Sequence, residues 1–130
     1  MPTIVPAYAG VLALLYVALS FRVIAVRRSA RVSLGSGGDP ALERRIRAHG
    51  NFGEYVPFAL ILLGFMELQG RPAWLLHALC LVLILARLSH AYAVSREGVN
   101  RPFRVAGIVG TVLVLVSSAV SLILRGVVGT

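Results

Sequence analysis

The residues of this sequence that could do chemistry are concentrated in one stretch, residues 47–57, which reads RAHGNFGEYVP. A helix turns about 100° per residue, so positions i, i+4, i+7 and i+8 lie on one face. In this stretch those positions hold Arg47, Asn51, Glu54 and Tyr55. The stretch leads into an apolar run, and a charged group near a bilayer centre costs roughly 2.5–3.5 kcal/mol on insertion scales. A polar face at such a place is therefore expected either to pair internally or to bind a ligand.

Two interpretations of this polar face are open. In the first, Arg47 and Glu54 lie two turns apart on the helix, Asn51 bridges them, and the network only holds helices together. In the second, the face binds a ligand. Arginines at the same depth outnumber the nearby acids, and they are Arg27, Arg28, Arg87, Arg101 and Arg104. Because unpaired cations beside a low-dielectric wall attract anions and thiolates, this surplus favours the second interpretation.

The composition is that of an integral membrane protein. Of 130 residues, 58% are hydrophobic and 14% are charged, and the mean hydropathy is +0.84; soluble domains carry about 25% charged residues. All thirteen basic residues are arginines, against five acids. Since these arginines border long apolar runs, we expect them to contact lipid headgroups or an anionic ligand, and we expect no nucleic-acid partner.

Four apolar runs are long enough to cross a bilayer as helices, which takes roughly 20 residues. We predict spans at about 4–26, 41–68, 72–95 and 102–125. The links between them contain helix-breaking residues, such as the glycines and Asp-Pro of residues 33–40. The sequence thus predicts an all-α fold, an integral membrane four-helix bundle, as a single domain over residues 1–130.

The distribution of arginine predicts the orientation of the bundle. Four spans put both termini on one side of the membrane. The first and third links with their margins, residues 22–47 and 87–104, hold eleven of the thirteen arginines. By the positive-inside rule these links face the cytoplasm and both termini lie outside.

The remaining groups form no recognisable catalytic set. Cys80 lies alone in an apolar run and is predicted to be a packing residue. No two histidines or carboxylates have metal-ligand spacing, so we expect no metal site, and no Ser-His-Asp arrangement can be argued. His49 points away from Arg47 and is predicted to contact a headgroup or another subunit, whereas His77 is predicted to be structural.

RAHGNFGEYVP, the preceding arginine pair and RVS within residues 27–33, and ARL at residues 86–88 together resemble the MAPEG family, the membrane-associated proteins in eicosanoid and glutathione metabolism. The resemblance extends over nearly the whole chain. The bacterial-type branch is the most similar, because the end of the third helix, with His90, differs from the animal synthases. The resemblance implies a homotrimer in a bacterial inner membrane, with glutathione bound between neighbouring subunits near the cytoplasmic face.

The resemblance also implies roles for individual residues. The polar face of the second helix binds the tripeptide: the acid takes its amino group and the basic groups its carboxylates. The residues of that face are Arg47, Asn51, Glu54 and Tyr55. Arg27 and Arg28 reach the same cleft from the adjacent subunit, and His90 stands where the leukotriene-C synthase branch has a tyrosine. An arginine at the start of the fourth helix steadies the thiolate. Ungapped counting from ARL gives Arg101, and Arg104, one turn on, is the alternative.

The implied function is a glutathione-dependent transferase or peroxidase. A free thiol has a pKa near 8.5, and an adjacent guanidinium at a helix N-terminus lowers it to roughly 3.5–7.5. The thiolate then attacks a lipophilic electrophile dissolved in the membrane, so the protein needs no nucleophile of its own. The partners implied are glutathione, this electrophile, membrane lipid and further copies of the chain. The alternatives are a non-catalytic membrane protein of the same fold that binds lipid or a partner, and a small exporter, which the arginines around Glu54 disfavour.

Overall fold

The computed structural model of the protein describes residues 1–98 and 100–129, and the regular structure in this part of the chain is entirely helical. The four helices are α1 (Ile4–Ala30), α2 (Pro40–Leu68), α3 (Ala73–Ser95) and α4 (Arg101–Val128). Each is long and apolar enough to cross a membrane. The predicted all-α class with four apolar helices is confirmed.

The helix ends follow local sequence signals. Asp39 caps α2, since its Oδ1 accepts hydrogen bonds from the backbone N–H groups of Ala41 (2.8 Å) and Leu42 (3.2 Å). Pro40 occupies the first position of α2, where its missing N–H costs nothing. The first helix continues four residues beyond the predicted span, to Ala30, so Arg27 and the following arginine belong to its last turn.

Short connections give the bundle two distinct ends. The connections at residues 31–39 and at residues 96–98 and 100 define what we call the link end. The start of α1, the α2–α3 turn at residues 69–72 and the end of α4 define the termini end. The core between the ends is aliphatic, with Leu12, Leu63 and Leu83 almost completely buried.

The contact between α3 and α4 is close because α4 carries glycine where it crosses α3. A methyl group added at Gly107 would lie 2.6 Å from the His90 Cβ and 2.7 Å from the Ala86 carbonyl oxygen. One added at Gly110 would lie 2.9 Å from the Ala86 Cβ. Small residues of this kind let helix backbones approach within membranes. This approach holds the start of α4 beside the polar end of α3.

Candidate functional site

A cleft of about 380 Å³ opens at the link end between α2, α3 and α4. Small-molecule sites have volumes of roughly 300–1,000 Å³, so a ligand of modest size would fit. The residues that line it are Arg44, Ile46, Arg47, Gly50, Asn51, Glu54, His90, Val94 and Arg104. The cleft thus combines three guanidiniums, a carboxylate, a carboxamide and an imidazole.

The polar face of α2 supplies one wall of this cleft. Arg47, Asn51 and Glu54 line it together, as their helical spacing predicts. Tyr55 does not line it; the tyrosine is 39% exposed, and its ring centre is 6.0 Å from the guanidinium carbon of Arg87. The face predicted from the sequence is therefore divided between the cleft and the outer surface of the helix.

The network within α2 that the first interpretation required is not formed. Among residues 1–98 and 100–129, the structure gives neither Arg47 nor Glu54 a hydrogen bond or ion pair to another side chain. Asn51 does not bridge them, because its Oδ1 accepts a hydrogen bond from Arg87 on α3 at 2.8 Å. A cation and an anion thus line one cavity with no protein partner in the described part of the chain.

Arg87 does not line the cleft itself but hydrogen-bonds Asn51, which does, and the sequence had indicated it only as one of the nearby arginines. It is 2% exposed, and besides its bond to Asn51 it donates from Nη2 to the Gly107 carbonyl oxygen at 3.0 Å. A guanidinium only donates, so the oxygen of the Asn51 carboxamide must face Arg87. The amide N–H groups of Asn51 are then free to donate elsewhere. Arg87 thereby makes Asn51 a donor to whatever binds beside it.

The two candidate arginines of α4 have different positions. Arg104 lines the cleft together with the α2 residues, and it also lines a neighbouring cavity of about 440 Å³ near the start of α4. Arg101 lines the neighbouring cavity and an open groove along α4, and it does not line the cleft. Arg104, and not the arginine found by ungapped counting, shares a cavity with Arg47 and Glu54.

The arginine pair at the end of α1 does not line the cleft of its own chain. Arg27 donates from Nη1 to the carbonyl oxygens of Val32 (3.5 Å), Ser33 (3.4 Å) and Gly35 (2.8 Å), so it holds the first link in shape. Arg28 is exposed. Their contribution to a neighbouring subunit stays a prediction.

His49 belongs to the contact between α1 and α2 instead of the cleft. Its Nε2 lies 2.8 Å from the Ser20 hydroxyl oxygen, and its ring stacks on Tyr16 at 4.5 Å between centroids. The histidine is thus engaged within its own chain. No group of three or more His, Cys, Asp or Glu side chains in the described residues is placed to hold a metal ion.

The model of the MAPEG family matches residues 5–124. The chain belongs to the MAPEG family. It is 44% identical over 85 residues to the inner membrane protein YecN of Escherichia coli strain K12, and equally to YecN of Escherichia coli O6:H1 strain CFT073; each match covers 65% of this chain and 65% of the relative. The chain therefore spans just under two thirds of the length of these relatives. The resemblance inferred from the sequence is confirmed.

The cleft contains five of the nine site residues that the MAPEG resemblance implied. These are Arg47, Asn51, Glu54, His90 and Arg104. The other four, Tyr55, Arg27, Arg28 and Arg101, lie outside it within the single chain. Two residues in or beside the cleft, Arg44 and Arg87, were not among the site residues that the resemblance implied. The signal for Arg87 was an arginine inside an apolar run, which is costly unless it is hydrogen-bonded; Arg44 precedes Arg47 by one helical turn and so shares its face.

Proposed function

We propose that the protein is a glutathione-dependent membrane transferase or peroxidase that acts on lipophilic electrophiles. One observation carries the proposal: Arg47, Glu54 and Arg104 line one cleft without a side-chain partner among the described residues. All three side chains are exposed in the single chain, so their charges are accessible to the carboxylate, ammonium or thiolate of a ligand. Family membership supports glutathione as the ligand.

The chemistry of the cleft matches the chemistry of the tripeptide. Glutathione carries two carboxylates, one ammonium and one thiol. Glu54 would bind the ammonium, while Arg47 and the free N–H groups of Asn51 would donate to the adjacent carboxylate. Such charge-assisted hydrogen bonds are about twice as strong as neutral ones.

The reactive end of the ligand would lie near Arg104. A guanidinium beside a thiol lowers the thiol pKa, and Arg104 lies in the N-terminal part of α4, where the helix dipole also favours negative charge. The thiolate sulfur then attacks an electrophilic carbon, a C–S bond forms, and the displaced electron pair leaves on the departing group or the adjacent atom. The substrate arrives from the bilayer, along helices whose outer surfaces are apolar.

The assembly and orientation are also part of the proposal. The protein would be a homotrimer of the bacterial inner membrane, with the link end facing the cytoplasm and both termini outside. Arg28, which is exposed at the end of α1, would reach the cleft of the adjacent subunit, and Arg27 would support it by shaping the first link.

Calorimetric titration of the detergent-solubilised protein with glutathione tests the binding step. We expect the parent protein to bind and Arg47→Ala and Glu54→Ala to lose most of the affinity. Arg22→Ala is the matched control, because Arg22 is exposed on α1 and does not line the cleft. Absence of binding by the parent would reject the proposal in favour of a non-catalytic protein that binds lipid or a partner.

The thiolate step needs a separate experiment. The ultraviolet absorbance of the bound thiolate is measured in Arg101→Ala and Arg104→Ala. We expect Arg104→Ala to lose the thiolate signal and Arg101→Ala to retain it. Retention in both variants would contradict the role assigned to Arg104.

A further inference from the structure

A shallow groove runs along the seam between α3 and α4, outside the cleft. Its volume is about 290 Å³, and none of its lining residues belongs to the cleft. The groove is hollow because small residues stand where the two helices meet: a methyl group added to Gly110 would lie 2.9 Å from the Ala86 Cβ. Apart from one hydroxyl the lining is apolar, and its residues are Val82, Leu85, Ala86, Ser89, Ala106 and Gly110. The groove therefore offers a narrow apolar surface to the bilayer.

A series of contacts connects this groove to the link end of the bundle. The Ser89 hydroxyl in the groove donates to the carbonyl oxygen of Phe103 at 2.8 Å. The Phe103 ring makes a T-shaped contact with the Tyr92 ring, with 5.5 Å between centroids. The guanidinium carbon of Arg96, which directly follows α3, lies 4.5 Å from the centre of the Tyr92 ring. The groove therefore leads to an aromatic pair and then to a cation.

The charge of Arg96 has no acidic partner in the described structure. Arg96 is exposed, and it makes no ion pair with residues 1–98 and 100–129. The acid next to it in the sequence, Glu97, binds Arg44 at 2.9 Å instead. The contact with Tyr92 attracts the guanidinium to the ring face by its charge. Since a guanidinium can donate two parallel hydrogen bonds to a phosphate, Arg96 is available to an anion at the link end of the groove.

The distance from Val82 to Arg96 corresponds to one leaflet of a bilayer. Val82 lies near the middle of α3, and Arg96 lies just beyond its end, fourteen positions later. Fourteen residues of helix are about 21 Å long, and half of a bilayer with its headgroups is about 20–22 Å thick. Arginine and aromatic residues are typical of the headgroup level. From the bilayer centre outward, the seam thus has apolar, aromatic and cationic parts, in the order in which a phospholipid has its acyl chain, ester region and phosphate.

We propose that the α3–α4 groove together with Arg96 binds an anionic phospholipid. One acyl chain lies against Ala86, Ala106 and Gly110, and the phosphate accepts hydrogen bonds from the Arg96 guanidinium. The site goes beyond the proposed function, because neither the groove residues nor Arg96 line the glutathione cleft. A lipid bound there contacts both helices and stabilises their packing.

Charge distinguishes a lipid from a second copy of the chain, which is the other occupant expected of an apolar face. A second copy would have to supply Arg96 with an acid, and the sequence has five. Four of them are hydrogen-bonded within the chain or lie in the cleft, namely Asp39, Glu54, Glu67 and Glu97. That leaves Glu43, whereas every anionic phospholipid brings its phosphate to the depth of Arg96.

Native mass spectrometry of the detergent-solubilised protein tests the headgroup contact. The protein is titrated with phosphatidylglycerol and, separately, with phosphatidylcholine of the same acyl chains, whose ammonium group repels a guanidinium. We expect the parent to bind phosphatidylglycerol about fivefold more tightly than phosphatidylcholine. In Arg96→Gln the two Kd values should become equal. Arg22→Gln is the matched control, because Arg22 is exposed on α1 and should leave the preference unchanged.

Ala106→Leu tests the acyl-chain contact in the same titration. Ala106 is exposed and lines the groove, so the larger side chain fills the groove without removing a packed side chain. Each methylene group of the lipid that loses its contact costs about fourfold in affinity. We therefore expect Ala106→Leu to weaken the binding of both lipids by about fourfold or more. Ala25→Leu is the control, since Ala25 is exposed on α1 and does not line the groove.

Three results would overturn the proposal. Equal Kd values of the parent for the two lipids, or an equal loss of preference in Arg96→Gln and Arg22→Gln, would show that no phosphate is bound at Arg96. Unchanged lipid binding in Ala106→Leu would exclude an acyl chain from the groove. A changed oligomer mass of Ala106→Leu, which the same spectra report, would show that a second copy covers the groove. Because these titrations contain no glutathione, each result leaves the proposed function unaffected.

Discussion

Glu67 and Glu54 both lie on α2, the first close to the termini end of the bundle and the second in the cleft that opens at the link end, and they differ in what they contact. The carboxylate of Glu67 accepts hydrogen bonds from the backbone N–H groups of Thr3 and Ile4, both at 2.7 Å, and of Val5 at 2.8 Å. It caps the start of α1. Glu54 has no such partner among residues 1–98 and 100–129, although it lies in a cleft with three arginines.

The arginines show the same difference. At the termini end, Arg71 donates from Nη2 to the carbonyl oxygen of Ser121 at 2.9 Å and to the hydroxyl of the same residue. At the link end, Arg47 donates to no side chain in the described structure. The same residue types therefore join helices at the termini end, whereas Arg47 and Glu54 remain exposed and accessible in the cleft.

This comparison requires that the unpaired groups of the link end be held rigidly, and Gly107→Ala tests that with the largest expected effect. The added methyl group would meet backbone atoms of α3, which cannot rotate away. We expect a loss of about 3 kcal/mol in the free energy of unfolding in detergent. Gly126→Ala is the control, because Gly126 faces open space and should lose nothing. Equal stability of the two variants would show that α3 and α4 can separate at little cost.

Glu67→Gln tests the termini end, where the Glu67 carboxylate has three hydrogen-bond donors. The amide keeps one acceptor oxygen but turns N–H groups toward the backbone donors of α1, and the charge at the helix start is lost. We expect a loss of about 2 kcal/mol in unfolding free energy, with the Kd for glutathione unchanged. Weaker glutathione binding with an unchanged free energy of unfolding would contradict the structural role assigned to Glu67.

Glu54→Gln is the corresponding substitution in the cleft. Since Glu54 makes no hydrogen bond or ion pair with a described side chain, its replacement should leave the unfolding free energy unchanged. The loss of a charge-assisted bond to the ligand ammonium should weaken glutathione binding by about 1.5 kcal/mol, roughly tenfold. Calorimetry measures the affinity and thermal unfolding the stability; the opposite pattern would make Glu54 a structural residue.

Ser20→Ala has the smallest expected effect and sharpens the comparison. His49 also lies on the polar stretch of α2, but Ser20 and Tyr16 engage it. If a side chain that is hydrogen-bonded within the chain has a structural role, Ser20→Ala should lower the free energy of unfolding by about 1 kcal/mol. The Kd for glutathione should stay unchanged. Ser29→Ala is the control, since Ser29 bonds only to the Val26 carbonyl of its own helix. An altered Kd in Ser20→Ala alone would extend the site toward α1.

The sequence predicted those features that depend on local pattern. Run length and hydropathy predicted four helices, and the turn of 100° per residue predicted that Arg47, Asn51 and Glu54 share a wall. Contacts between distant positions could not be predicted. Asn51 and Arg87 are joined only because α2 packs on α3, and nothing in the local sequence of either residue specifies that register.

The choice between Arg101 and Arg104 shows the same limit. Ungapped counting assumes that the third link has the same length in every family member. The direction of each arginine side chain depends instead on where α4 begins and on how closely Gly107 allows α4 to approach α3. The hydrogen-bond donors to Glu67 also could not be predicted from the sequence, because these backbone N–H groups lie more than sixty positions earlier in the chain.

The cap on α1 also has a consequence for biosynthesis. During translation, Thr3, Ile4 and Val5 are added more than sixty residues before Glu67, so their N–H groups must first bind water or lipid headgroups. Only when α2 is complete can Glu67 replace these contacts. The contact that joins the start of α1 to the end of α2 therefore forms only after both helices have been synthesised.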